Sequence, residues 1–203
     1  MIGPIYAITD PGAPLPVMAQ ALAAACGGAW AVQLRDKHAP DRDLVDLARS
    51  LLAVLRPLGV KLIINDRLNV ACVVDADGLH IGQGDGDPAQ ARARLGAGKL
   101  LGLSVETLAQ GARVPDCVDY IGIGPVRATA TKPDHAAPVG MDGLAAIAAR
   151  AQVPAFAIGG VGPGDARAIK AAGAVGMAVV SAITRATDPE AATRALCAEW
   201  GHA

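Results

Sequence analysis

Short apolar runs recur along the chain at 5–9, 30–35, 61–66, 78–82, 100–105, 120–125, 155–160 and 176–183. Between them lie stretches with helical spacing of apolar residues, at 16–26, 41–58, 68–74, 87–95, 105–112, 141–151, 164–172 and 188–200. Most of the runs are near-continuous Ala, Val, Ile and Leu, the pattern of a strand buried on both faces. Strands that alternate with helices across short connections are parallel and joined by right-handed crossovers. Eight such units in 203 residues predict an α/β fold, a single-domain (β/α)8 TIM barrel spanning residues 1–203. An open doubly wound sheet shares the alternation, but no run is polar enough to read as an edge strand, and this favours closure.

The expected helix ends are chemically consistent with these boundaries. Asp41, Asp87 and Asp188 stand where N-caps belong, with Pro88 and Pro189 at first helical positions, where a missing N–H costs nothing. Gly59 and Gly173 follow helices as left-handed C-caps do.

Composition narrows the partners. A hydrophobic content of 52% is ample for a core, and with aromatics at 2% that core is expected to be Ala, Val, Leu and Ile, with no platform for stacking bases. The net charge of −1 offers no attraction to a polyanion or an acidic membrane surface, so the expected partners are small-molecule substrates, with no nucleic acid and no membrane. The N-terminus opens directly on a strand pattern without a basic n-region, and the longest uncharged apolar run, 21–32, is too short to span a bilayer. Cys26, Cys72, Cys117 and Cys197 are scattered without a CxxC pair, which suggests reduced, mostly buried thiols in a cytoplasmic protein.

In either architecture, chemistry belongs at the carboxyl ends of the strands. The third run ends in Asn65-Asp66, and the fourth continues through His80 and Gln83 to Asp85. Two carboxylates about 5 Å apart at an effective dielectric near 20 repel by roughly 3 kcal/mol, so a pair delivered to one rim calls for a cation. Asp and Asn oxygens suit a hard ion such as Mg²⁺, which completes its shell with water and phosphate oxygens. Taken singly, Asp66 as a helix cap and Asp85 as a turn residue are the commoner fates. After the second run, Arg35 and Lys37 share one side of an extended chain, as a phosphate grip or as a solvated surface pair. After the fifth run, Ser104 lacks the following glycine of a nucleophile elbow and reads as a hydroxyl contact or a cap. The sixth run opens into a long loop carrying Thr129, Thr131 and Lys132, and long loops in compact domains tend to be functional. Gly159-Gly160 end the seventh run and Val180-Ser181 lie near the end of the eighth, where barrels often bind phosphate. His80 reads as an inward barrel residue or a site contact, and none of the histidines has a partner that would make it a general base.

Gln33-Leu34-Arg35-Asp36-Lys37, Ile64-Asn65-Asp66, the stretch from Asp77 to Asp85, Gly102-Leu103-Ser104, Gly124-Pro125 leading to Thr129-Ala130-Thr131-Lys132, Ile158-Gly159-Gly160 and Val180-Ser181 are seven ordered motifs at strand ends. Together they resemble the thiamine phosphate synthase family over nearly the whole chain. That resemblance implies a transferase joining 4-amino-5-hydroxymethyl-2-methylpyrimidine diphosphate to 4-methyl-5-(β-hydroxyethyl)thiazole phosphate, with release of diphosphate. It implies that Gln33, Leu34, Arg35, Asp36, Lys37, Asn65, Ser104 and Lys132 bind the pyrimidine diphosphate, with Arg35, Lys37 and Lys132 acting electrostatically and no residue serving as acid or base. Thr129, Ala130, Thr131, Gly160, Val180 and Ser181 would bind the thiazole phosphate, and Asp66 and Asp85 would hold one Mg²⁺ per subunit. A homo-oligomer is compatible with this reading. Asp36 replaces a common Glu, Arg127-Ala128 stands where an aromatic and a proline are frequent, and His135 follows Asp134 where a small residue is usual. A related barrel, thiazole tautomerase, would need a general base instead of the diphosphate and metal set, and a noncatalytic barrel that senses thiamine phosphates would bind without turnover.

Overall fold

The computed structural model describes residues 2–129, 131 and 136–203. Ala130 and Lys132, both named above, lie outside the described residues, as does His135. Strands β1 (Ile5–Ile8), β2 (Ala31–Leu34), β3 (Lys61–Asn65), β4 (Gly78–Ile81), β5 (Leu100–Val105), β6 (Tyr120–Ile123), β7 (Ala155–Ile158) and β8 (Gly176–Val179) run parallel in sequence order. The sheet closes where β8 returns to β1, Ile5 opposite Met177 and Ala7 opposite Val179, so the open-sheet alternative is excluded. Around it lie α1 (Val17–Cys26), α2 (Asp41–Leu55), α3 (Leu68–Val73), α4 (Pro88–Leu95), α5 (Leu108–Gly111), α6 (Gly140–Ala148), α7 (Ala166–Ala171), α8 (Ser181–Thr184) and α9 (Pro189–His202).

Because side chains alternate across a strand, each strand feeds two cores. Ile5 and Ala7 of β1, Leu62 and Ile64 of β3 and Ile121 and Ile123 of β6 face outward into the shell under the helices. On α2 the residues Leu44, Ala48, Leu51, Leu52 and Leu55 recur at helical spacing and are buried. Removing one such leucine side chain from water contributes about 2 kcal/mol. The shell is therefore the aliphatic core expected from composition.

The inside of the barrel is not. Tyr6, Ile8, Ala31, Ile63, Tyr120, Phe156 and Ala178 pack there, with Trp30 against them. The chain has only two Trp, two Tyr and one Phe, yet all but Trp200 gather in this floor. Trp30 and Phe156 stack with ring centres 5.5 Å apart, and Tyr6 meets Tyr120 edge-on at 5.9 Å. A narrow closed sheet concentrates its few large rings where the most volume must be filled with the fewest side chains.

Several boundaries differ from expectation for local reasons. Pro40 in extended conformation is the N-cap of α2, and Asp41 lies in the first turn, where its charge still suits the helix dipole. Asp87 and Asp188 do cap their helices, accepting from the N–H of Ala89 and Ala191 at 3.0 Å. The helix expected at 105–112 shrinks to α5 because Val105 still belongs to β5 and Thr107 with Gln110 forms a capping box. The apolar run 176–183 is not one strand: β8 ends at Val179, and Ser181 begins the turn of α8. The thiols also depart from expectation. All four cysteines are free, but Cys26 is exposed and the others only half-buried, since they sit on the helix shell and its loops rather than beneath it.

Candidate active site

One cavity opens at the carboxyl ends of the strands. It is lined by Gln33, Arg35, Lys37, Asn65, Asp66, Asp85, Ser104, Thr129, Thr131, Gly160, Val180 and Ser181, together with the aromatic floor. The closed barrel thus brings every described candidate to one mouth except Leu34 and Asp36. Strand alternation separates those two from their neighbours: Leu34 is buried in the outer shell, and the Asp36 carboxylate accepts from the backbone N–H of His38 and Ala39 at 2.9 and 3.0 Å. Gln33, Arg35 and Lys37, two residues apart, share the inner side.

Asn65 and Asp66 are adjacent yet both line the cavity, which a continuing strand would forbid. Asp66 has φ of 59°, a left-handed conformation that Asp tolerates better than most residues, and this reversal turns its side chain back to the mouth. The residue does not cap α3, whose N-cap is Arg67 without a side-chain bond. Its peptide N–H is held by the His80 carbonyl at 2.9 Å, which registers β3 against β4 at the rim. Asp85 does sit in a turn, as one expectation had it: its carboxylate accepts from Gly82 N–H at 2.7 Å. The turn also points it at Asp66. Burial, then a hydrogen bond and charge repulsion from Asp85, push the Asp66 carboxyl from 3.8 up to about 6, against the opposing pull of Lys37 and Asn65. A carboxylate pair that resists full ionisation is an oxygen-only seat for a hard cation. Among the described residues no three His, Cys, Asp or Glu side chains gather to cage a metal unaided, so an ion held here would need water and ligand oxygens to complete its shell.

His80, expected as an inward residue or a site contact, joins Tyr6 and Tyr120, which the sequence reading passed over, in the floor. His80 projects inward from β4 and is buried, with Nε2 3.0 Å from Ser104 Oγ and Nδ1 3.3 Å from the Tyr120 hydroxyl. Burial lowers its pKa to about 4, outweighing the nearby Asp85, so it is neutral near pH 7 and a poor proton acceptor. Tyr120 and Tyr6 share a hydrogen bond at 3.0 Å, and burial raises both phenols above their ordinary value. Gln33 Nε2 donates to Tyr6 Oη at 2.7 Å. Gln83 lies outside the cavity and anchors the rim by donating to the Ser104 carbonyl at 2.6 Å. Glu106, two residues beyond Ser104 and just past the end of β5, also lines the mouth, a placement that an extension of the strand period could have suggested.

Arg127 has a definite task. Its guanidinium takes both oxygens of Asp165 at 2.8 Å and donates to the Gly160 carbonyl at 3.0 Å, while its N–H bonds the Gly159 carbonyl at 3.0 Å. The stem of the loop 126–139 is thereby clamped to the glycine turn after β7. Gly160, at φ of 64°, has no room for a side chain, since a Cβ there would fall 2.7 Å from that of Arg127.

A closed barrel with one polar cavity at the carboxyl ends of its strands, bearing paired acids, clustered cations and hydroxyls, is the architecture of a (β/α)8-barrel enzyme. The family model described as thiamine monophosphate synthase matches residues 5–183. A thiamine-phosphate synthase of Chloroflexus aurantiacus is 47% identical over 195 residues, 95% of this chain and 90% of the relative. One from Solidesulfovibrio magneticus is 52% identical over 199 residues, covering 95% and 92%. The solved thiamine phosphate pyrophosphorylase of Pyrococcus furiosus superposes with a TM-score of 0.89 at 31% identity, covering 98% of this chain and 96% of the other. The chain belongs to the thiamine monophosphate synthase family. No helix among the described residues is long and apolar enough to cross a membrane.

Proposed function

We propose that this chain is a thiamine phosphate synthase that joins 4-amino-5-hydroxymethyl-2-methylpyrimidine diphosphate to 4-methyl-5-(β-hydroxyethyl)thiazole phosphate, giving thiamine phosphate and diphosphate. The observation that carries this reading is the meeting, in one cavity, of Arg35, Lys37 and the Asp66–Asp85 pair with Thr129, Thr131, Gly160 and Ser181 across the mouth. In the first step the bond between the methylene carbon and the diphosphate oxygen breaks, and its electron pair leaves with the oxygen. The electron-rich aminopyrimidine spreads the resulting positive charge, and the thiazole nitrogen then donates its lone pair to form the new C–N bond.

Arg35 and Lys37 lie where they can neutralise charge gathering on the departing group, Arg35 as a fork and Lys37 as a point charge. Asp66 and Asp85 would hold Mg²⁺, and the bound ion would supply further neutralisation of the diphosphate. Thr129, Thr131, Gly160, Val180 and Ser181 would hold the thiazole phosphate so that its nitrogen faces the methylene carbon, converting an encounter of two solutes into an aligned step. No proton need move, which suits a site whose inward histidine is neutral and weakly basic.

The test is diphosphate release by the purified chain. Release that requires both substrates and Mg²⁺ supports the synthase. Isomerisation of a thiazole phosphate alone would replace it with the tautomerase, and calorimetric binding of thiamine phosphates without turnover would replace it with a sensor. Replacing Lys132 by Ala is expected to impair use of the diphosphate substrate more than binding of the thiazole phosphate, and the reverse order would remove Lys132 from the diphosphate site.

A further inference from the structure

The floor of the cavity contains an unbroken series of hydrogen bonds that runs through the barrel from β2 to β5. It links Gln33 to Tyr6, Tyr6 to Tyr120, Tyr120 to His80 and His80 to Ser104, over 2.7, 3.0, 3.3 and 3.0 Å. Both ends, Gln33 and Ser104, line the cavity, and the three middle members are buried. Only two directions make every bond of the series and leave no buried hydroxyl proton idle, because each hydroxyl has one proton and a neutral imidazole has one N–H and one lone pair.

The Gln33 amide nitrogen donates to Tyr6. Tyr6 then turns its own proton to Tyr120, and Tyr120 turns its proton to Nδ1 of His80. With Nδ1 accepting, the imidazole proton lies on Nε2 and is donated to Ser104 Oγ. The Ser104 proton has no partner left within the series and faces the cavity, while at the other end the Gln33 carbonyl oxygen remains to accept.

We propose that this directional series, held by His80 and Tyr120 as positioning residues, presets Ser104 as a donor and Gln33 as an acceptor, so that the pocket selects a 4-aminopyrimidine over its 4-oxo counterpart. The inference rests on the synthase reading above for its substrate. An aminopyrimidine offers an exocyclic N–H to the Gln33 carbonyl and a ring-nitrogen lone pair to the Ser104 hydroxyl. A 4-oxo ring sets an oxygen where the amino group was, and the Gln33 carbonyl would face another acceptor. Reversing the Gln33 amide would reverse every bond and favour the oxo ring instead.

The packing has made room for this series. Gly102 of β5 lies against its middle, where a Cβ would fall 2.2 Å from Tyr120 Cζ and 2.5 Å from His80 Nδ1. Any side chain at 102 would drive apart the bond that joins the two halves.

Two measurements test the proposal. The first is ¹⁵N NMR of the full chain without ligand near neutral pH, with the His80 imidazole assigned by its loss in His80→Gln. The proton is expected on Nε2, and a proton on Nδ1 overturns the proposal whatever the fate of the synthase reading. The second is calorimetry with the 4-aminopyrimidine diphosphate and its 4-oxo analogue. One lost hydrogen bond with a stranded acceptor should weaken the oxo compound by about tenfold or more in the native chain, and by less than about threefold in Tyr120→Phe. Equal binding of the two rings by the native chain, or full selectivity retained in Tyr120→Phe, overturns the proposal. If Tyr120→Phe does not fold, Tyr6→Phe interrupts the series one bond earlier and is read the same way. Failure to bind the aminopyrimidine at all refutes the synthase reading and with it the substrate half of the proposal, leaving the NMR result to decide the direction.

Discussion

Replacing Asp85 by Asn is expected to stabilise the metal-free protein near neutral pH while removing its response to Mg²⁺. The Asp66 carboxyl is raised from 3.8 to about 6, first by burial and then by the hydrogen bond and charge of Asp85. A folded pKa above the unfolded one means that the folded state holds the proton more tightly. The favourable contribution is complete below 3.8 and is lost as pH rises to about 6, so at pH 7.5 the charged pair opposes folding. The full gap between those values corresponds to roughly 3 kcal/mol. Burial, the largest cause, persists in the variant, and solvent screens a carboxylate this exposed, which leaves roughly 0.5–1 kcal/mol for Asp85 to release. In a chain of this size that is a rise of about 1–4 °C in melting temperature. Asn keeps the shape and an oxygen to accept from Gly82 N–H, so the turn should survive. Thermal melts at pH 4 and pH 7.5, in chelator and in Mg²⁺, read the effect. The variant should match the native chain at pH 4, exceed it at pH 7.5 in chelator, and gain little from Mg²⁺, whereas the native chain gains by mass action. A variant that melts lower at pH 7.5 without metal, or that keeps the full Mg²⁺ response, would refute the carboxylate pair as the cation seat.

Three further outcomes follow from the same geometry. Gly102→Ala should cost about 2–3 kcal/mol, because the Tyr120 ring is wedged against Tyr6 and Phe156 and cannot retreat, and calorimetric melting should fall by roughly 5–10 °C. Arg127→Ala should cost about 1 kcal/mol, since the Arg127 side chain is half exposed and Asp165 keeps the Gly162 N–H, yet raise KM for the thiazole phosphate more than it lowers kcat, because the loop stem is released from Gly160. Arg35→Ala should lower kcat/KM by about a hundredfold or more with the fold intact by circular dichroism, as expected when a cation aimed at developing charge is lost.

The barrel was legible because its determinants are local and repeated. Eight apolar runs with helices between them, proline at the first turns of α4 and α9, and glycine after helices are signals that each element carries by itself. The site residues at strand ends were legible for a related reason: in this fold, position along the strand implies position at the mouth. What stayed hidden is pairwise. The period of two separates Leu34 and Asp36 from Gln33, Arg35 and Lys37, but a contiguous motif reads as one block. His80 could be named as inward or as a contact, and it is both, which only its distances to Ser104 and Tyr120 reveal. Arg127 looked like a departure from a pattern until Asp165, 38 residues later, was beside it.

The order of apolar and polar positions alone determined the eightfold alternation, the parallel sheet and the end of it where chemistry occurs, because hydrophobic period and capping chemistry act within a few residues. Closure of the sheet decided the rest. It drew Tyr6, Tyr120, Trp30 and Phe156 into one floor, turned Asp66 through a left-handed backbone toward Asp85, and set the direction in which Ser104 and Gln33 face a ligand. Burial, repulsion and hydrogen-bond direction depend on which residues meet across space, and only the closed barrel brings these residues together.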